Sequence, residues 1–214
     1  MALTLHFHPL SSFCQKALIG LYELDVPFEK RLVDLGDPTA RAEFLRLWPL
    51  GKFPVLHDGD RDRTVPESTT ILEYVDRRQG GGRLVPGDPD RALECRLQDR
   101  FFDLYVNTPM GKVVTDRLRP EGEHDRLGVS QARAQLRTAY AIAEEQLRMH
   151  RFASGDDFGL ADCAAAPSLF FARQVEPFGD QHPHLAGYLE RVSARPSVAR
   201  TFAEAAPYLS LVPR

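Results

Sequence analysis

The sequence predicts an α/β layer over residues 1–78, a linker over 79–88 and an all-α half over 89–214. Three observations predict this. Strand and helix patterns alternate as far as residue 78, with two strands close enough to form a hairpin. "QGGGRLVPGDP" (79–89), with its triple glycine and two prolines, then breaks every periodic pattern. Beyond it no strand pattern returns, and apolar residues recur at helical spacing to the end.

"ALTLHF" (2–7) alternates as a half-buried strand does. "SSFCQKALIGLYEL" (11–24) reads as a helix with Phe13, Ala17, Ile19, Gly20 and Leu24 near one face, and Ser11 or Ser12 can cap it. "PFEKRLVDL" (27–35) is a second strand, and "DPTARAEFLRLW" (37–48) a short helix with Pro38 near its first position. "FPVLHDG" and "RTVPE" form a hairpin around Asp58, Gly59 and Asp60. "ESTTILEYVDRR" (67–78) is a helix with an inward stripe of Ile71, Leu72 and Val75. The order is β-α-β, α, then β-β-α. In the second half, residues 90–118 read as one long helix or a pair kinked at Pro109. Further helices are expected over 130–150, 160–175, 184–194 and 197–206.

Composition excludes several classes. The 214 residues are 43% hydrophobic and 27% charged, as in a soluble globular protein. A net charge of −3 offers no polybasic surface for nucleic acid or anionic membrane. No apolar run approaches the ~18 residues of a membrane span, and the first ten residues do not read as a secretory signal. Cys14, Cys95 and Cys163 are odd in number and widely spaced, which suggests neither disulfides nor a zinc site. No cluster has metal-ligand spacing, and a reducing cytoplasm is the expected compartment. The final "LVPR" fits a protease-tag remnant or a native end equally.

Four short motifs carry chemistry. "GKFPVL" (51–56) places a proline at a strand start, where a missing N–H does least harm. "PES" (66–68) puts Glu67 and Ser68 at a helix N-terminus, where N–H groups and the helix dipole favour a carboxylate, and where Glu67 can pair with an ammonium. "SSFCQK" (11–16) sets Ser11, Ser12 and Cys14 at a strand–helix junction. "FGLADC" (158–163) offers Gly159 and, three residues on, Asp162, the spacing of a capping box without its usual hydroxyl.

Together these resemble the cytosolic glutathione S-transferase family, in its bacterial, serine-type form, over nearly the whole chain. The resemblance implies a thioredoxin-like βαβαββα domain followed by an all-α domain, and glutathione as co-substrate with no metal. It implies a cis Phe53-Pro54 bond, with the Phe53 backbone pairing with glutathione as an added strand does. Lys52 would reach a terminal carboxylate, and Glu67 and Ser68 would hold the γ-glutamyl end. By the same alignment Ser11 activates the glutathione thiol, with Ser12 falling at the helix cap; Ser12 and Cys14 remain alternatives. Phe102, Tyr105, Val106 and Met110 would offer an apolar wall to a small hydrophobic electrophile. The implied protein is a homodimeric detoxification enzyme. Two other readings stay open: a non-catalytic ligand- or partner-binding module, and a thiol transferase using Cys14. His6 reads as structural, and His8 as near the site without an obvious partner.

Overall fold

Leu3, Leu5 and Phe7 of β1 (Leu3–Phe7) are buried, with Thr4 and His6 on the opposite face, so the alternation sets which side of the sheet meets the core. The structure is a computed structural model and describes residues 2–212; Pro213 and Arg214 of the final "LVPR" lie outside the described residues. β1 is followed by α1 (Ser12–Glu23), β2 (Glu29–Leu32), α2 (Pro38–Leu47), β3 (Val55–Asp58), β4 (Arg63–Pro66) and α3 (Ser68–Arg78). The sheet order is β2-β1-β3-β4, with β1 parallel to β2 and antiparallel to β3, and β3 antiparallel to β4. β2 is shorter than its pattern suggested: its ladder with β1 runs over four residues of an exposed edge.

α1 and α3 cover one face of the sheet. Ala17, Ile19, Gly20 and Leu24 are buried as expected, whereas Phe13, placed by periodicity on the same face, is 36% exposed in the first turn. Gly20 is where the two helices touch: a Cβ there would lie 2.3 Å from Leu72 Cδ2. Ile71, Leu72 and Val75 are fully buried. On the other face α2 lays Phe44 over Val33 and Val55 as a small separate cluster.

The linker is pinned. Gly80, Gly81 and Gly82 all have positive φ, which glycine adopts without penalty. The Asp76 carboxylate then accepts the N–H groups of Arg83, Leu84 and Val85, each at 3.2 Å. Arg83 crosses back to the carbonyls of Glu23 and Leu24 at the end of α1.

The helical half comprises α4 (Pro89–Phe101), a π-helix (Phe102–Asn107), α5 (Thr108–Asp116), α6 (Arg126–Met149), α7 (Leu160–Val175), α8 (Pro183–Ser193), α9 (Pro196–Ala205) and a 3₁₀ turn (Ala206–Leu211). The expected kink at Pro109 is instead a wider turn before it. The Thr108 N–H bonds Asp103 O, five residues back, so the winding loosens just ahead of the residue that has no N–H to give.

Gly159 explains itself here. A Cβ at this position would meet the Leu84 carbonyl at 2.8 Å, so the hydroxyl of an ordinary cap has no room. The same carbonyl accepts the Leu160 N–H at 2.9 Å, and Asp162 accepts the Gly159 N–H at 2.9 Å. The helix start is satisfied without a capping side chain.

Candidate functional site

Sheet register gathers the motifs. His6 is opposite Val55, and Val55 is opposite Pro66. The chain leaving β1, entering β3 and leaving β4 therefore meets at one end of the sheet, bringing Ser11, Phe53-Pro54 and Glu67-Ser68 to one place.

The first loop is tightly specified. Ser11 N–H donates to His8 O at 3.1 Å, and Gln15 Nε2 donates to Pro9 O at 2.8 Å. Ser11, not Ser12, is the helix cap: its Oγ accepts the Cys14 N–H at 3.3 Å. Ser12 begins the helix and gives its hydroxyl hydrogen to Asn107 Oδ1 at 2.7 Å. Each hydroxyl has one hydrogen. That of Ser12 is committed to Asn107, whereas the Ser11 cap bond uses only its oxygen.

Cys14 is fully buried. Its Sγ accepts the His8 N–H at 3.4 Å, and burial pushes the thiol up to about 12, against the bonds to Ser11 and His8. A neutral, enclosed thiol is a poor nucleophile.

His8, which had no evident partner in sequence, has two. Its ring stacks on Phe53 (centroids 5.9 Å apart) and meets Tyr208 edge-on at 5.9 Å. Nδ1 accepts the Leu10 N–H at 3.3 Å. Burial holds its pKa below the ordinary histidine value, against the opposing charge of Asp34. No sequence signal links Tyr208 to this loop, because the contact spans almost the whole chain.

The Phe53-Pro54 peptide is cis. Lys52 is exposed, and Phe53 half-buried against both hydrophobic clusters. Glu67 is exposed with φ at 68°, in the left-handed region that non-glycine residues rarely occupy. Ser68 begins α3 and is 4% exposed.

Behind Ser68 lies a charged cluster that joins the two halves. Lys16, fully buried, reaches Asp99 Oδ1 at 2.6 Å, Asp103 Oδ2 at 2.7 Å and Thr69 Oγ1 at 2.8 Å. Thr69 donates to Asp99 Oδ2 at 2.8 Å. Arg100 bonds Asp99 at 2.9 Å and also contacts Asp103 and Thr69. Burial raises the Asp103 pKa, with the Lys16 charge opposing.

The apolar wall is largely absent. Phe102, Val106 and Met110 are 1%, 0% and 6% exposed, because this turn packs inward as part of the main core. Of the four residues only Tyr105, 51% exposed, presents surface. Among the described residues no group of three or more His, Cys, Asp or Glu could hold a metal ion, and no helix is long and apolar enough to cross a membrane.

Comparisons with known proteins agree with this architecture. Residues 5–83 match the family profile "Glutathione S-transferase, N-terminal domain", and residues 103–196 match "Glutathione S-transferase, C-terminal domain". Glutathione S-transferase GstB of Escherichia coli K12 is 27% identical over 193 residues, covering 89% of this chain and 92% of its own. Glutathione S-transferase 3 of Zea mays is 30% identical over 209 residues, covering 94% and 93%. Among solved structures, a Methylobacillus flagellatus glutathione S-transferase with glutathione bound superposes with a TM-score of 0.86 at 25% identity, covering 94% of this chain and 98% of that one. A Methylobacterium radiotolerans glutathione S-transferase in complex with glutathione sulfonate gives 0.83 at 26% identity, covering 94% of each.

Proposed function

The chain belongs to the glutathione S-transferase family and is a glutathione transferase; from that premise we propose how its residues divide the work. Glutathione lies across the end of the sheet. The Phe53 backbone pairs with its cysteinyl portion, and Lys52 meets its glycyl carboxylate. Ser68 and the N–H groups opening α3 take the γ-glutamyl carboxylate, and Glu67 takes the ammonium. The strained backbone of Glu67, worth ~1–3 kcal/mol, fits a residue held for a ligand.

Ser11 stabilises the thiolate. The observation that carries this is what holds each hydroxyl: Ser12 has given its hydrogen to Asn107, whereas Ser11, at the cap of α1, has only the buried and weakly accepting Cys14 sulfur for its own and can turn it to a thiolate. A hydrogen bond donated to sulfur, beside a helix N-terminus, favours the charged thiolate. A small hydrophobic electrophile then accepts the sulfur, forming a thioether. The burial of Cys14 stands against a thiol transferase that uses it.

The working unit is a homodimer in the cytoplasm. Leu93 and Leu97, 68% and 57% exposed, stand one turn apart on α4. Arg96 beside them reaches Glu73, which borders a groove of about 640 Å³ lined by Arg61, Arg63, Arg77 and Arg78. An apolar strip beside a cationic groove is a face that a second copy would cover.

The test uses glutathione with a generic aryl halide, beside glutathione with a mixed-disulfide substrate. Aryl-halide turnover that survives Cys14→Ala supports the reading. Turnover confined to the disulfide and lost in Cys14→Ala would sink it.

A further inference from the structure

The π-helix has a consequence for the second substrate. Its extra residue per turn carries Asn107 to Ser12, 95 residues away in sequence and in the other half of the chain. Thr108 Oγ1 reinforces the turn by bonding Asp103 O at 3.0 Å. Asn107 is 5% exposed. Its Oδ1 accepts the Ser12 hydroxyl, which sets the end of the amide that faces Ser12 and leaves the two Nδ2 hydrogens at the other. No described residue accepts either hydrogen, and Nδ2 is not among the side-chain atoms sealed from solvent without a partner. A nearly buried amide, with its oxygen held and its nitrogen open beside the residue that follows Ser11, is a pre-aimed pair of donors.

We propose that Asn107 is a specificity-determining residue whose Nδ2 hydrogens receive an oxygen of the electrophile, favouring carbonyl-activated alkenes over substrates that expel a halide. This rests on the transferase reading above. In the favoured reaction the sulfur forms a bond to the β-carbon, and the alkene pair moves through the carbonyl onto oxygen. The resulting enolate sits against the Asn107 donors and takes a proton from water. The thiol proton released to solvent when the thiolate forms closes the balance. A halide leaves in line, on the side of the carbon opposite the sulfur and so away from donors held beside Ser12, whereas the enone oxygen can turn back toward them; their stabilisation grows toward the transition state chiefly in the first case.

The experiment compares kcat/KM for trans-4-phenyl-3-buten-2-one and benzyl chloride, each with glutathione, in the wild type, Asn107→Asp and Asn107→Ala. Asn107→Asp keeps an acceptor for Ser12 and removes the donors. Calorimetry with glutathione and thermal melts accompany each variant. The expected result is a fall of about 10- to 100-fold in the enone-to-halide ratio for both variants, with glutathione affinity within about twofold of wild type. A ratio that stays level, or a variant that does not fold, while the wild type binds glutathione and turns over, overturns the Asn107 assignment alone. A wild type that binds no glutathione overturns the transferase reading and this inference with it.

Discussion

Lys16 Nζ lies 2.6 Å from Asp99 Oδ1, and the two side chains are 0% and 1% exposed. One residue is on α1 and the other on α4, so the contact is an ion pair buried between the two halves. Lys16→Met would leave Asp99 and Asp103 with only the partly exposed Arg100 for a cation, so the loss should fall at or below the ~3–5 kcal/mol that breaking a buried pair costs. Urea unfolding should show that loss. Adding Asp99→Asn should recover part of it, and a double variant as unstable as the single one would count against the pair.

Ser11→Ala should raise the pKa of bound glutathione thiol by about 1 unit or more, since one hydrogen bond to a charged group is worth ~1.5–3 kcal/mol. The near-ultraviolet absorption of the thiolate, titrated with pH, reads this directly. Ser12→Ala should move it much less, because that hydroxyl is already spent on Asn107. The reverse pattern would shift the role one residue along.

Ser68→Ala should weaken glutathione binding by ~1–3 kcal/mol, with the fold retained. Calorimetry checks it, and an unchanged affinity would remove the α3 N-terminus from the site.

Gly159→Ser should destabilise the protein by ~1–3 kcal/mol, although serine is the better cap in general. The clash with the Leu84 carbonyl, 2.8 Å from the new Cβ, decides the sign. A higher melting temperature in the variant would show that the linker yields.

Asp162 is fully buried, and burial pushes its carboxyl up to about 6, against bonds from Tyr188, Ala153 and Gly159. In the unfolded chain its pKa is about 3.9. The folded protein therefore holds this proton longer as pH rises. The contribution to stability is full below about pH 4, declines between about 4 and 6, and is then flat. Asp162→Asn cannot titrate, so the wild type's advantage over it should shrink across that window. An advantage that grows with pH would contradict the assignment.

Local signals carried much of the fold into the sequence. Alternation in Leu3–Phe7, the Ile71–Leu72–Val75 stripe and the glycine-rich break are properties of short stretches, and each has its counterpart in the structure. What failed was long-range. Phe102, Val106 and Met110 have the spacing of either a core or a pocket wall, and only the packing of the π-helix and the start of α5 settled which. Phe13 lay on the apolar face by period but at the helix start, where the core has not yet closed. Asn107, Tyr208 and the partners of Lys16 lie far along the chain from the loop they touch, so no window of sequence could join them.

The Asp76 carboxylate, holding three consecutive linker amides, bears on how the enzyme meets substrates of different size. A segment with three glycines would ordinarily act as a loose tether and let the two halves breathe. Here its far end is clamped, and Arg83 ties the same stretch to the end of α1. The gap between the halves is thus fixed when the chain folds, not when a ligand arrives. On the reading proposed above, a bulky electrophile would therefore meet a cleft of set width, not one that opens to receive it.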